Sequence, residues 1–263
     1  MLRFPLRSCP PYNLPLGAQN NSRDPFLMVN LTSVQSDFLQ KVLELEPRIA
    51  AFDCDGTLWS GDAGEGFFFW ELENKLVSDE VIRWARPRYA EYRAGKVSEA
   101  QMCGEMVTMH RGMREEVVQA ACDQFFAQSI APGIFTEMRA LLTRLIDSGC
   151  EVWAVSSSNQ WIIRSAMRSF GIPQTQILAA EAAVENGIVT DSLIRVPSGP
   201  GKAEALRSVL KSRLDCAFGN AIWDREMLAM ARHAFAVNPN PNLKEVAMAE
   251  GWTIYQPQFR REI

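Results

Sequence analysis

The chain has little of what marks a membrane, secreted or nucleic-acid-binding protein. No apolar run approaches the roughly 20 residues of a membrane span. The net charge is −4, from 27 basic and 31 acidic residues, and no Lys/Arg stripe offers an electrostatic footprint for nucleic acid. Histidines number two, and the six cysteines (Cys9, Cys54, Cys103, Cys122, Cys150, Cys216) contain no C-x-x-C pair. That scarcity argues against zinc-type ligation and for free thiols in a reducing, cytoplasmic compartment. Basic residues near the start are followed by no apolar core of a secretory signal. Residues 1–35, rich in Pro, Asn and Ser, read as a disordered or loosely attached tail, with Met28 as a candidate start. Repeats and low-complexity tracts are also lacking.

What is present suits a soluble globular protein: 263 residues, 47% apolar and 22% charged, enough for one large domain or one domain carrying an insert. A helix is expected from Ser36 as N-cap, with Phe38, Val42 and Leu45 on one face. Ile49 to Phe52 reads as a short buried strand. From 61 to 131 only helical patterns follow, with Ser78 and Ser98 as N-caps. These read as an all-helical insert joined to the core by two strands of chain, hence a lid. From Pro132 onward helices and strands alternate, starting with a helix expected at the proline, and Asn186-Gly187 marks a hairpin. Alternation means a mostly parallel sheet covered on both faces, an α/β Rossmann-like doubly wound core over 36–60 and 132–263. Ligands of such sheets sit at the carboxyl ends of the strands.

Those ends carry the polar residues. After Phe52 the chain sets Asp53 and Asp55 either side of Cys54. Residues two apart in an extended segment project the same way, and like charges that close need a cation or a shared proton. Cys54 reads as a small apolar residue facing the other side, since nothing nearby would activate a thiolate. The strand "VWAV" ends at Ser156, followed by Ser157, Ser158 and Asn159. The strand "CAFG" ends at Asn220, with Asp224 four residues on, and Lys202 opens a helix after a glycine-rich turn. Lysine, hydroxyl and free helix amides suit an anion, and carboxylates with an amide oxygen suit a hard cation such as Mg²⁺. Both together make a phosphate site. A calcium loop starting at Asp53 is excluded, because Leu58 stands where glycine is needed and Gly64 where glutamate is needed.

Asp53-Cys54-Asp55-Gly56-Thr57, Ser156 after a strand, Lys202, and Gly219-Asn220 with Asp224 resemble the four motifs of the haloacid dehalogenase superfamily, in order, from Ile49 to about Tyr255. The helical insert just after the first motif is similar to that of the subclass containing phosphoserine phosphatase. The resemblance implies a Mg²⁺-dependent phosphomonoesterase in which Asp53 is the nucleophile and Asp55 the general acid and base. It implies Thr57, Ser156, Ser157 and Lys202 as phosphate ligands, and Asp53, Asp55 (through its carbonyl), Asn220 and Asp224 around the metal. The presence of Asp55 separates phosphatases and mutases from the dehalogenases and transport ATPases of the superfamily.

Two departures shape the expectation. Asn220 stands where the family usually has aspartate, which lowers the negative charge at the metal and motivates a catalytically impaired phospho-ligand binder as one alternative; a phosphotransferase or mutase of the same superfamily is the other. Phosphoserine phosphatases carry arginines in the insert that grip the substrate carboxylate; Met102 to Met106 aligns there without one, which argues against phosphoserine. Asp62, nine residues after Asp53, matches an acid that meets the substrate's ammonium. Trp59, Phe67, Phe68, Phe69, Trp70 and Trp84 are expected mostly as core of the insert, with one or two left for a cation–π wall. The expected partner is a small phosphorylated metabolite, with no nucleic acid or membrane, and the protein a monomer or homodimer.

Overall fold

A computed structural model describes residues 31–258; the tail to residue 30, with Cys9 and Met28, lies outside the described residues. The first helix, α1 (Ser33–Leu43), is capped by Thr32, four residues before the expected cap Ser36. Thr32 and Gln35 explain the earlier start: the Gln35 amide N–H donates to the Thr32 hydroxyl at 3.3 Å, and the Thr32 N–H donates to the Gln35 side chain at 2.8 Å. That reciprocal capping box satisfies two donors a lone Ser36 could not. The strand β1 (Ile49–Phe52) has the expected bounds.

Seven strands form one sheet in the order β4-β3-β2-β1-β5-β6-β7, where β2 is Glu151–Asn159, β3 Ile177–Glu185, β4 Ile188–Arg195, β5 Cys216–Gly219, β6 His233–Val237 and β7 Thr253–Tyr255. Every pairing is parallel except the β3–β4 hairpin. Its turn residues Asn186 and Gly187 both hold positive φ, +51° and +77°, the backbone that a two-residue hairpin turn demands.

Strand periodicity distributes the core. Ala50 and Phe52 of β1 enter one apolar cluster, with Met138, Leu141 and Leu145 of α6 (Thr136–Asp147) and Trp161 and Ile162 of α7 (Gln160–Arg168). Ile49 and Ala51 enter the other, with Leu206 of α8 (Pro200–Val209), Leu228 of α9 (Arg225–Met230) and Leu243 of α10 (Pro241–Ala249). A sheet buried on both faces is what its continuous apolar strands require. The helix expected from Pro132 is corrected: Pro132 lies in a 3-10 turn (Ala131–Gly133), and α6 starts at Thr136.

Between β1 and α6 run the helices α2 (Ala63–Glu73), α3 (Asp79–Arg93), α4 (Glu99–Thr108) and α5 (Glu115–Phe125). Ser78 and Ser98 cap α3 and α4 as expected. Phe68, Leu72, Tyr89 and Met102 make a small apolar core of their own. Phe67 of α2 and Cys122 and Phe125 of α5 instead join the large cluster against the sheet. Backbone bonds also tie the insert to the hairpin: Gly112 N–H to the Val189 carbonyl at 2.8 Å, Val189 N–H to the Met113 carbonyl at 2.9 Å, and Glu115 N–H to the Gly187 carbonyl at 2.9 Å. The insert is therefore held by packing and hydrogen bonds besides its two chain connections.

Candidate active site

Strand order reverses at β1, which has β2 on one side and β5 on the other. The crevice outside its carboxyl end is where such a sheet receives ligands. A cavity of about 230 Å³ opens there, floored by Asp53, Asp55, Ser156, Lys202, Asn220 and Asp224 and roofed by the helical insert.

The centre of the floor is an ion cluster. Lys202 Nζ donates to Asp53 Oδ1 at 2.6 Å, Asp224 Oδ1 at 2.5 Å and the Val155 carbonyl at 3.2 Å, so all three ammonium hydrogens are committed. Its side chain is 3% exposed. Burial alone would discharge the amine, but Asp224 and Asp53 outweigh it and hold its pKa above the ordinary lysine range. Thr57, wholly buried, donates its hydroxyl to the other Asp53 oxygen at 2.7 Å. Its side chain thus orients Asp53, and it does not line the cavity. Burial first, then the negative charge of Asp224, pushes the Asp53 pKa up to about 7.

Asp55 is held separately. Its Oδ1 accepts from Trp59 Nε1 at 2.8 Å and from the Ala63 N–H at 2.6 Å, and its Oδ2 accepts from the Ser158 hydroxyl at 2.7 Å. Burial again, with Asp62 as the next contributor, raises its pKa to about 7. The buried Cys54 thiol is pushed well above its ordinary value by burial and by Asp53 and Asp55, as expected of a packing residue.

The loop after β5 is shaped by Asp224, whose Oδ2 accepts from the Asn220 and Ala221 N–H groups, both at 2.9 Å. Glycines on either side make room. A Cβ on Gly219 would come within 2.5 Å of Asp224 Cβ, and one on Gly56, whose φ is +75°, within 1.9 Å of Asn220 Nδ2. The first motif and the β5 loop are therefore in contact through Gly56 and Asn220.

Among the described residues no three His, Cys, Asp or Glu side chains converge as a metal cluster. Asp53 and Asp224 converge as a pair on Lys202, with Asn220 beside them on the cavity wall. Two buried carboxylates against one ammonium leave a surplus of negative charge, and every remaining donor is an oxygen. That donor chemistry fits a hard divalent cation and not a soft one.

The structure brings together Asp53, Asp55, Ser156, Ser157, Lys202, Asn220 and Asp224 on one cavity, with Asp62 at its exposed rim. Ser158 and Trp59 as partners of Asp55, and the cavity residues Glu65, Glu71, Tyr89, Tyr92, Arg93 and Glu99, are additions the sequence analysis misses. The strand expected to end at Ser156 continues to Asn159 with an irregular register after Val155, and Ser156, Ser157 and Ser158 all line the cavity. Met102, Cys103 and Met106 face the cavity, as the alignment expects. Of the six aromatics singled out, Phe68 reaches the cavity; Trp59 is fully buried and Trp84 lies 39% exposed on the surface.

A family model described as haloacid dehalogenase-like hydrolase matches residues 50–229. The chain is 28% identical over 146 residues to a phosphoserine phosphatase of Mycobacterium tuberculosis, covering 53% of this chain and 47% of that protein. It is 26% identical over 219 residues to the histidinol-phosphatase of Neisseria meningitidis, covering 79% and 97%. The chain spans about half the length of several curated relatives it matches. Among solved structures, a Bordetella pertussis protein of unknown function superposes with a TM-score of 0.71 at 20% identity, over 80% of this chain and 98% of that one. A phospho-aspartyl intermediate analogue of phosphoserine phosphatase superposes with a TM-score of 0.54 at 20% identity, over 81% and 94%. At those identities the likeness to the two structures is one of fold.

Proposed function

The chain belongs to the haloacid dehalogenase-like hydrolase family, and from that premise we propose that it hydrolyses a small-molecule phosphomonoester through an aspartyl-phosphate on Asp53. The observation that carries the reading is the ion cluster: a buried carboxylate at a strand end, oriented by Thr57 and charge-compensated by Lys202, opening on a cavity with a second carboxylate beside it.

Attack by a carboxylate on a phosphoryl group is opposed by the negative charge on both, so the site must supply positive charge before the bond can form. Lys202 supplies one, and it follows the charge as it spreads over the transferring oxygens. The Ser156 and Ser157 hydroxyls on β2 would donate to those oxygens. Mg²⁺, held by Asp53, the Asp55 carbonyl, Asn220 and Asp224, would supply the remaining charge neutralisation. Asp55 gives a proton to the leaving alkoxide and takes one from the water that opens the acyl-phosphate, two roles one carboxyl plays in sequence. Its three hydrogen bonds hold it in place for both. Asp62 at the rim is assigned to the leaving-group side, where an amine of the substrate would meet it.

The histidinol-phosphatase and phosphoserine phosphatases among its relatives act on phosphorylated amino-acid derivatives, which fits a small amine-bearing ester here. The test is turnover of p-nitrophenyl phosphate with and without Mg²⁺. Hydrolysis that EDTA abolishes and Mg²⁺ restores supports the reading. A protein that binds phosphate but is inert at every Mg²⁺ concentration is a binder, and the proposal fails.

A further inference from the structure

Helix α2 starts at the chemical end of the cavity and runs away from it. A Cβ on Gly64 would lie 2.4 Å from the Ser158 hydroxyl that holds Asp55. Seven residues on, and about 10 Å along the axis, Glu71 lines the same cavity. Its side chain is 2% exposed. Oε2 lies 2.7 Å from Nε2 of His110, which is fully buried, and Nδ1 of that ring lies 3.2 Å from the Val107 carbonyl. A carbonyl accepts only, so Nδ1 carries a hydrogen, and a second proton must sit between Nε2 and Oε2. Glu71 and His110 are thus a neutral pair with the carboxylate locked in orientation. Oε1 makes no hydrogen bond with a described residue, and Glu71 is part of the cavity lining.

A buried acceptor left open toward a cavity calls for a donor from the ligand. The surrounding wall says which kind. On the insert side of the wall the acids Asp62, Glu65 and Glu99 outnumber the one base, Arg93, and Phe68 and Tyr89 present aromatic surface. Tyr89 is itself fixed, its hydroxyl donating to Glu65 at 2.5 Å. Net negative charge, aromatic faces and an open acceptor together select a cation that carries N–H.

Resting on the reading that the phosphate end sits at Asp53, we infer that Glu71 Oε1, locked by His110, receives a protonated amine at the far end of the substrate's leaving group. Glu71 is then a specificity-determining residue that recognises the part of the substrate that does not react.

The experiment is calorimetric binding, with Mg²⁺ present, of non-hydrolysable alkylphosphonates ending in a primary amine, a trimethylammonium or a methyl group, at several chain lengths. The parent protein is expected to bind the amine at least about tenfold more tightly than the methyl compound of equal length, with trimethylammonium between them because it has charge but no N–H. Glu71→Gln should keep most of the preference, since its amide can donate to His110 and turn its oxygen to the cavity. Glu71→Met should lose it. Equal binding of amine and methyl compounds by the parent, or of amine and trimethylammonium compounds, overturns the inference whether or not the variants fold. Failure of every phosphonate to bind overturns the phosphate-end reading and this inference with it, whereas tight binding without hydrolysis of the matching phosphate ester strikes only the proposed reaction.

Discussion

The two ends of the cavity differ in how their charges are satisfied. At the sheet end nearly every polar atom is spent on a neighbour: Lys202 on Asp53, Asp224 and Val155, Thr57 on Asp53, and Trp59, Ala63 and Ser158 on Asp55. At the insert end acids outnumber bases on the wall, and Glu71 keeps an oxygen open. The sheet end is preorganised for charge that develops in a reaction, where donors must already be in place. The insert end is built to meet a group the ligand brings with it. On the proposed reading, chemistry and selection are carried by separate elements, strand ends for the first and helix faces for the second.

If that division holds, damage at the sheet end should lower turnover of every ester by a similar factor. Among the residues around Asp53, the largest effect is expected from Lys202→Met. It removes the counter-charge of two buried carboxylates, so kcat should fall by about 10²–10³ for activated and unactivated esters alike, and stability by roughly 3–5 kcal/mol. Steady-state kinetics across a substrate panel and urea denaturation check both. Losses that differ widely between leaving groups would break the comparison, because they would give Lys202 a part in selection.

Ser158→Ala sharpens it. The variant removes one 2.7 Å bond to Asp55 and leaves Trp59 and Ala63 to hold the other oxygen. About a tenfold fall in kcat with KM little changed is expected, larger for esters with poor leaving groups, which depend most on the proton from Asp55. A change confined to KM would move Ser158 from the chemical end to the selecting one.

The smallest effect is expected at Asn220, next to Gly56 at the edge of the sheet end. Asn220→Asp would add a negative charge beside the proposed Mg²⁺, worth up to about 4 kcal/mol at 4 Å and an effective dielectric near 20 before repulsion from Asp53, Asp55 and Asp224 is subtracted. A net gain of about 1 kcal/mol, or roughly fivefold tighter Mg²⁺, is expected from titrating activity and calorimetric binding against Mg²⁺. Weaker Mg²⁺ binding in the aspartate variant would remove Asn220 from the metal's surroundings.

The same contrast governs what could be read from the sequence. Each piece of the sheet end is local: a four-residue apolar run ending in Asp53-Cys54-Asp55, serines after β2, Lys202 at a helix start, and Asn220 and Asp224 after β5. Parallel topology then gathers strand ends at one edge, so the pieces need only be recognised singly. Thr57 shows the limit, since its motif points to phosphate and its hydroxyl is bonded to Asp53. The insert wall has no such rule. Phe68 is expected as core of the insert, but whether a helix face meets a cavity or another helix depends on packing between elements. The arginine on the wall, Arg93, comes from the end of α3, well outside the Met102–Met106 stretch where the family pattern directs attention. The capping box of Thr32 and Gln35 was legible and outweighs Ser36, a matter of counting both partners of the cap.

The most direct measurement is rapid acid quench of the protein with a ³²P-labelled phosphomonoester and Mg²⁺, followed by peptide mapping. The account predicts an acid-stable, hydroxylamine-labile label on the peptide containing Asp53, absent from Asp53→Asn, which should also lose at least about a thousandfold in turnover while keeping its fold by circular dichroism. A label on another residue, or Asp53→Asn turning over within tenfold of the parent, would contradict it.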